Sequence, residues 1–313
     1  MKILFMGTDA FAVPSLEALA ERHQVVAVIT RPDKPKGRGR IIEATPVKIS
    51  AEKLSIPVLE PVSLKSKKFR ENLAEFDFDL VVLVAYGKIL PDEFLDHPRL
   101  GCICLHPSKL PRYRGCSPIE SAILDGCDET GVSVFHIDTD VDTGDVIYQE
   151  DFCISDGDTG GSLRRKMSMA SPGALLQAIE DIETGKACPL PQNPDSAVWA
   201  PKITREDARI RWEDSACSCR NRIRAMEPKP GAYTTYMNSI LKVHQAEIAN
   251  CDDSPAPIAP GTIIALEKNR GMVISCGVGC LVLTRVQPQG KKEMDGWAFV
   301  NGYHPSIGDK LGE

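Results

Sequence analysis

Short apolar runs alternate with amphipathic segments through the first half of the chain. Residues 2–7 hold Ile3, Leu4, Phe5 and Met6 in succession and read as a strand, and residues 11–22 place Phe11, Leu16, Leu19 and Ala20 at helical spacing. Residues 25–30, 58–59, 79–86 and 102–105 are further runs rich in Val, Leu and Ile. Such runs, stopped by Gly, Pro or charge, are the pattern of strands buried on both faces in a parallel sheet. Helices are predicted over 45–54, 65–75 and 159–184, with shorter ones starting at Pro91 and Pro118; residues 131–137 alternate as a strand. Strand and helix alternating to residue 150 predict an α/β fold with a doubly wound, mostly parallel sheet.

The texture then changes. Cys188-Pro189-Leu190-Pro191-Gln192-Asn193-Pro194 reads as a stiff, extended connector. After it, 231–236, 240–243, 261–264, 271–275 and 280–284 are short strands with Gly and Pro turns, the pattern of a small β-barrel. A chain of 313 residues is expected to hold two cores. The boundaries follow as a first domain over 1–187, a linker over 188–204 and a second domain over 205–313.

Composition narrows the class. A hydrophobic share of 42% and a charged share of 26% are those of a globular protein. No apolar run approaches a membrane span, and the apolar start is too short for a signal peptide, so a cytoplasmic protein without membrane association is expected. The 11 cysteines are odd in number, and the closest spacings (Cys102-x-Cys104, Cys217-x-Cys219, Cys276-x3-Cys280) contain no CxxC pair. That argues against a disulfide framework and a zinc site; no metal is predicted, and most thiols are expected to be small buried hydrophobes. With a net charge of −6, any affinity for nucleic acid must come from a local basic surface. Residues 31–40 carry Arg31, Lys34, Lys36, Arg38 and Arg40 between two prolines and two glycines. They cannot form a helix; they are a solvated loop or one that orders itself against phosphates.

Two constellations carry candidate chemistry. Cys104-Leu105-His106-Pro107-Ser108-Lys109-Leu110-Pro111-Arg112-Tyr113-Arg114-Gly115 puts a titratable His where a strand ends, with hydroxyl and backbone donors beside it. Ligands of open α/β sheets bind at such strand ends, although an incidental surface His has the same spacing. Asp138-Thr139-Asp140-Val141-Asp142-Thr143-Gly144-Asp145 follows the 131–137 strand. It fails the EF-hand pattern, since Gly144 is seventh and Glu150 thirteenth, which leaves a solvated acidic turn or a site loop. The first strand-to-helix turn lacks GxGxxG, so a dinucleotide site is disfavoured.

His-Pro-Ser-x-Leu-Pro-x-x-Arg-Gly followed by Asp-Thr-Gly-Asp resembles the folate-dependent formyltransferases, and within them the branch acting on methionyl-tRNA. The resemblance runs from Ile3-Leu4-Phe5-Met6-Gly7-Thr8 through Val84-Ala85-Tyr86-Gly87 to Ala208-Arg209-Ile210-Arg211-Trp212, Pro260-Gly261-Thr262 and Gly290-Lys291-Lys292. It implies transfer of a formyl group from 10-formyltetrahydrofolate to the α-amine of initiator methionyl-tRNA, by a monomer without a metal. It implies a second domain of the OB-like barrel type. His106 is implied as donor to the oxyanion, with Asp142 holding its tautomer or orienting a water. Ser108, Lys109, Leu110 and Pro111 are implied as the folate loop, with Tyr86 and Gly87 in the strand segment that contacts the pterin. Arg38, with Lys36 and Arg40, is implied to hold the acceptor end of the tRNA. Lys202, Arg205, Arg220, Arg222, Arg224, Lys291 and Lys292 are further basic candidates.

Two positions depart from the family. Cys104 stands where an Asn amide normally helps bind the oxyanion, and a thiol is a weak donor. Losing one such donor typically costs about a hundred- to a thousandfold in turnover. Asp140 stands where Gly is usual, and Asp tolerates a left-handed backbone better than most residues. The alternatives are a formyltransferase for a small nucleotide-linked amine and a tRNA- or folate-binding protein impaired in catalysis.

Overall fold

The computed structural model describes residues 1–36, 41–95, 98–250 and 258–312. The strands in chain order are β1 (Lys2–Gly7), β2 (Gln24–Ile29), β3 (Lys34–Lys36), β4 (Ile41–Glu43), β5 (Val58–Leu59), β6 (Leu80–Val84), β7 (Cys102–His106), β8 (Arg114–Gly115), β9 (Glu129–His136), β10 (Val146–Cys153) and β11 (Trp199–Ala200). They continue with β12 (Tyr233–Tyr236), β13 (Ser239–Ala249), β14 (Ile263–Glu267), β15 (Gly271–Ser275), β16 (Cys280–Pro288) and β17 (Met294–Asp295). The helices are α1 (Val13–Arg22), α2 (Pro46–Lys53), α3 (Lys67–Leu73), α4 (Asp92–Leu95), α5 (Pro118–Leu124), α6 (Gly160–Glu183), α7 (Ala216–Ala225) and α8 (Gly296–Tyr303).

The chain forms two compact units, one of residues 1–118, 129–153 and 164–201, the other of 119–128, 154–163 and 202–313. The first is built on a seven-stranded sheet of order β10-β9-β7-β6-β1-β2-β5. β1, β2, β5, β6 and β7 run parallel, and Ile3, Leu4, Phe5, Met6, Leu80, Val81 and Val82 are fully buried, as strands covered on both faces require. The chain leaves β1 toward β2 and β5, then returns to add β6 and β7 on the other side, so the order reverses beside β1. That is the kind of place where open α/β sheets bind ligands. β9 and β10 add antiparallel. Local signals set the helix starts: Thr45, ahead of Pro46, accepts a hydrogen bond from Lys48 N at 3.1 Å, and Ser66 caps α3 through Phe69 N at 3.3 Å.

The predicted elements of this half are present, with differences where pattern was weak. β10 was not foreseen, because an edge strand with exposed polar residues (Glu150, Asp151) shows little hydrophobic periodicity. Residues 34–36 and 41–43 pair as a short antiparallel hairpin rather than a plain loop. The segment read as a connector is packed against the first unit: Leu190 and Val146 exchange backbone hydrogen bonds at 2.8 and 2.9 Å, and β11 pairs with β8. The cysteines divide differently from the expectation. Among the described residues Cys102, Cys104, Cys219, Cys276 and Cys280 are buried, Cys280 being disulfide-bonded and not a free thiol, whereas Cys116, Cys153, Cys188 and Cys217 are exposed, on loops, an edge strand and the first turn of α7.

The second unit carries an antiparallel sheet of order β12-β13-β16-β15-β14, with β17 on β16. Its core gathers Trp212, Cys219, Ile223 and Met226 around Leu241, Val243, Ile274, Leu281 and Phe299. α8 was not foreseen, since Gly, Trp, Phe, Val and Tyr are poor helix formers. Asp295 starts it by accepting from Trp297 N at 2.8 Å, and burial of Phe299 and Val300 holds it. Among the described residues no helix is long and apolar enough to cross a membrane.

His244 on β13 supplies a pH test of this unit. Its Nδ1 lies 2.9 Å from Glu227 Oε2, and that hydrogen bond raises the imidazole above its ordinary value. A raised folded-state value means the added stability is complete below the unfolded-state value near ~6.5 and is lost as pH rises through the folded one. Thermal melts are therefore expected to show Glu227→Gln destabilised most at about pH 6, with the gap from the natural chain closing toward about pH 9.

Candidate active site

Strand periodicity builds the floor of the site. Leu83, Cys104 and Phe135 are register partners across β6, β7 and β9, so their side chains share one face of the sheet. All three line a cavity of about 110 Å³, with Ile137 beside them. Its walls are residues 88–90, after β6, and 138–142, after β9. His106 lies two residues beyond Cys104 on the same strand, hence on the same face. Its ring is buried and meets Phe135 edge-on at 6.5 Å.

The ring's hydrogen bonds decide what His106 offers. Nε2 is 2.9 Å from Tyr113 O. A carbonyl only accepts, so Nε2 carries a hydrogen and Nδ1 is the atom left for chemistry. Nδ1 lies 3.7 Å from Asp142 Oδ2, an ion pair whenever the ring is protonated but too long for a direct hydrogen bond. The tautomer is thus held by Tyr113 O and not by Asp142. The Cys104 thiol, with Sγ 3.7 Å from Leu105 O, is pushed well up by burial and by the nearby Asp142 carboxylate, so it stays neutral.

Asp142 is brought to His106 by the turn it sits in. Asp138 Oδ1 accepts from Asp140 N at 3.2 Å and from Thr143 Oγ1 at 2.6 Å. Gly144 passes so close to β9 that a Cβ there would sit 1.8 Å from His136 O. Asp142, at φ +57°, takes the left-handed backbone; Asp140, the position where that tolerance was expected to matter, does not. The Asp142 carboxylate accepts from Gly115 N at 2.8 Å, which closes the acidic loop onto the end of the His106 loop.

The residues read as the folate loop lie outside the walls of this cavity. Ser108 is fully buried; its hydroxyl donates to Arg112 O at 2.7 Å and its carbonyl accepts from Ser133 Oγ at 2.6 Å. Lys109 pairs with Asp151 and Glu129, well exposed. Leu110 packs on Cys104 and Phe135 from behind the cavity lining, and Pro111 O accepts from Val198 N at 3.2 Å. Tyr86 is buried in the core, where burial pushes its hydroxyl up to about 12, and its carbonyl accepts from Arg31 Nε at 3.2 Å. Gly87 follows it at φ +69°. Phe135 and Ile137 escaped sequence reasoning, because apolar residues in and beside buried strands look like any other core. Lys88, Ile89 and Leu90 also line the cavity, within the Val84 to Leu90 segment expected to touch the pterin.

The basic candidates separate by their partners. Arg38 and Arg40 lie outside the described residues, and of Lys36 the backbone alone is described. Arg220 forms a two-pronged pair with Asp156 at 2.7 Å, Arg222 donates to Asp207 O at 2.8 Å, and Arg224 donates to Asn221 Oδ1 at 3.0 Å. These three tie the second unit together internally. Lys202, Arg205, Lys291 and Lys292 are exposed. Among the described residues no group of three or more His, Cys, Asp or Glu side chains has the arrangement of a metal site.

Residues 1–179 match the family described as Formyl transferase, and residues 202–304 match Formyl transferase, C-terminal domain. The methionyl-tRNA formyltransferase of Desulforamulus reducens is 41% identical over 313 residues, covering 100% of this chain and 98% of its own. That of Halalkalibacterium halodurans is 41% identical over 315 residues, with the same coverage of 100% and 98%. The N-formyltransferase of Helicobacter canadensis, solved with folinic acid and dTDP-3-aminofucose, superposes with a TM-score of 0.67 over 92% of this chain and 99% of its own. At 20% identity that likeness shows the fold alone. Two family matches in order, and relatives this similar from end to end, establish that the chain belongs to the methionyl-tRNA formyltransferase family.

Proposed function

We propose that the protein transfers the formyl group of 10-formyltetrahydrofolate to the α-amine of initiator methionyl-tRNA, for translation initiation. The observation that carries this reading is the meeting of His106 Nδ1 and Asp142 Oδ2, 3.7 Å apart, beside a cavity floored by Leu83, Cys104 and Phe135. Apolar walls with backbone and carboxylate groups at the rim suit a flat heterocycle with hydrogen-bonding edges, as a pterin is. The bound folate supplies a formyl carbon already attached to a leaving nitrogen.

Attack by the amine puts negative charge on the formyl oxygen. Since Nε2–H is held by Tyr113 O, only the imidazolium has a hydrogen on Nδ1 to offer that oxygen. In this reading the Asp142 carboxylate, 3.7 Å from Nδ1, stabilises the charged ring and accepts, through a water, the proton the amine must lose. That proton ends on the nitrogen released by the formyl group. Lys36, Arg38 and Arg40, with the exposed Lys202, Arg205, Lys291 and Lys292, are the side chains assigned to tRNA phosphates.

Formylation of charged initiator tRNA by the purified chain tests the reading. His106→Ala is expected to lower kcat by about a hundred- to ten-thousandfold, read by acid-resistant formylmethionyl-tRNA. Cys104→Asn, which restores an amide donor beside the cavity, is expected to raise kcat by about ten- to a hundredfold with little change in KM. Turnover on a nucleotide-linked amine but not on methionyl-tRNA would replace this reading with the small-amine one. Binding of folate and tRNA without turnover, gained only in Cys104→Asn, would make the natural chain a binding protein.

A further inference from the structure

The Pro-rich segment that reads as a connector carries a polar side chain at the back of the active-site loop. Gln192 Nε2 donates to Asp142 O at 3.0 Å and to Gly144 O at 2.8 Å. Its Oε1 accepts from Arg114 Nε at 3.0 Å and from Arg114 Nη2 at 2.8 Å. The orientation of the amide is unambiguous, because carbonyls only accept and a guanidinium only donates. One side chain thus holds the backbone on both sides of Thr143 and, at its other end, the residue before Gly115. Gly115 N in turn donates to Asp142 Oδ2 at 2.8 Å.

Resting on the function proposed above, we infer that Gln192 is a positioning residue: with Arg114 it forms a bracket that fixes the Asp142 carboxylate against His106. Asp142 needs such support, since a non-Gly residue at φ +57° is in a sparsely populated backbone region. The bracket is itself anchored. Leu190 is paired with Val146, Arg114 N donates to Val198 O at 2.9 Å, and the prolines on either side limit the conformations open to Gln192. Neither Glu nor Ala is expected to replace it. A carboxylate at 192 would meet two carbonyl oxygens with no hydrogen to give, and Ala would leave those carbonyls and the guanidinium fork without their partner.

The test uses Gln192→Ala and the shape-preserving Gln192→Glu in the full chain. Both are expected to lower kcat by about ten- to a hundredfold, as small misplacements of catalytic groups do, with KM for 10-formyltetrahydrofolate and charged tRNA within about threefold. Asp142→Asn and the double variant Asp142→Asn/Gln192→Ala are expected to be equally slow, because the bracket acts through Asp142. In the unliganded protein, hydrogen exchange at the Gly115 amide is expected to quicken about tenfold while Tm stays within about 3 °C. Losses that multiply in the double variant, an unchanged kcat, or an unchanged Gly115 exchange rate would each overturn the inference. Absence of turnover in the natural chain would sink the proposed function instead, and the Gly115 exchange would still decide the bracket. Should Gln192→Ala fail to fold, Gln192→Glu carries the same comparisons.

Discussion

The hydrogen bond from Gly115 N–H to the Asp142 carboxylate is the contact on which the site depends. It joins two loops that leave the sheet in different directions, one from the end of β7 and one from the end of β9. β9 runs antiparallel to β7, so its last residues lie beside the start of β7, and the acidic loop must travel back along the sheet to reach His106. Everything around it serves that crossing. Gly144 lets the chain graze His136 O, Asp138 closes the turn, and Asp142 accepts a left-handed backbone. Gly115 itself sits at φ +113° with Ala200 O against it, a place where a side chain would be both strained and crowded.

The histidine gains its chemistry from a backbone group that no motif names. With Nε2–H spent on Tyr113 O, a single ring nitrogen is left, on the side of the Asp142 carboxylate. Cys104 stands on the same face of the same strand, in register with Leu83 and Phe135. The cavity floor is consequently less polar here than an amide would make it. A neutral thiol at this point is a weak donor, which leaves His106 as the stronger hydrogen-bonding side chain of the two on that face of β7.

Much of this was legible in advance. The buried parallel strands announced themselves through continuous Val, Ile and Leu, and the two site loops through polar, Pro- and Gly-bearing stretches at strand ends. Reading fell short where a side chain's partner lies far along the chain. Ser108 looks like a ligand-binding hydroxyl, yet it donates to Arg112 O inside its own loop, and its carbonyl accepts from Ser133 Oγ on β9. Arg220, Arg222 and Arg224 look like a basic patch, yet they close ties to Asp156, to the Asp207 carbonyl and to Asn221. Gln192 looks like a solvated residue among prolines, and its four partners at 114, 142 and 144 are invisible in the sequence around it.

The sequence by itself determined the elements and the order of the chemistry-bearing loops, because hydrophobic periodicity and turn residues act within a few positions of themselves. It also determined which face of β7 His106 and Cys104 share, since a strand repeats every two residues. Only the tertiary structure decided which ring nitrogen of His106 is available, how far from it Asp142 lies, and that a segment beyond residue 188 holds the Asp142 loop. Hydrogen bonds are short-ranged and directional, so they depend on distances between loops that no local pattern encodes.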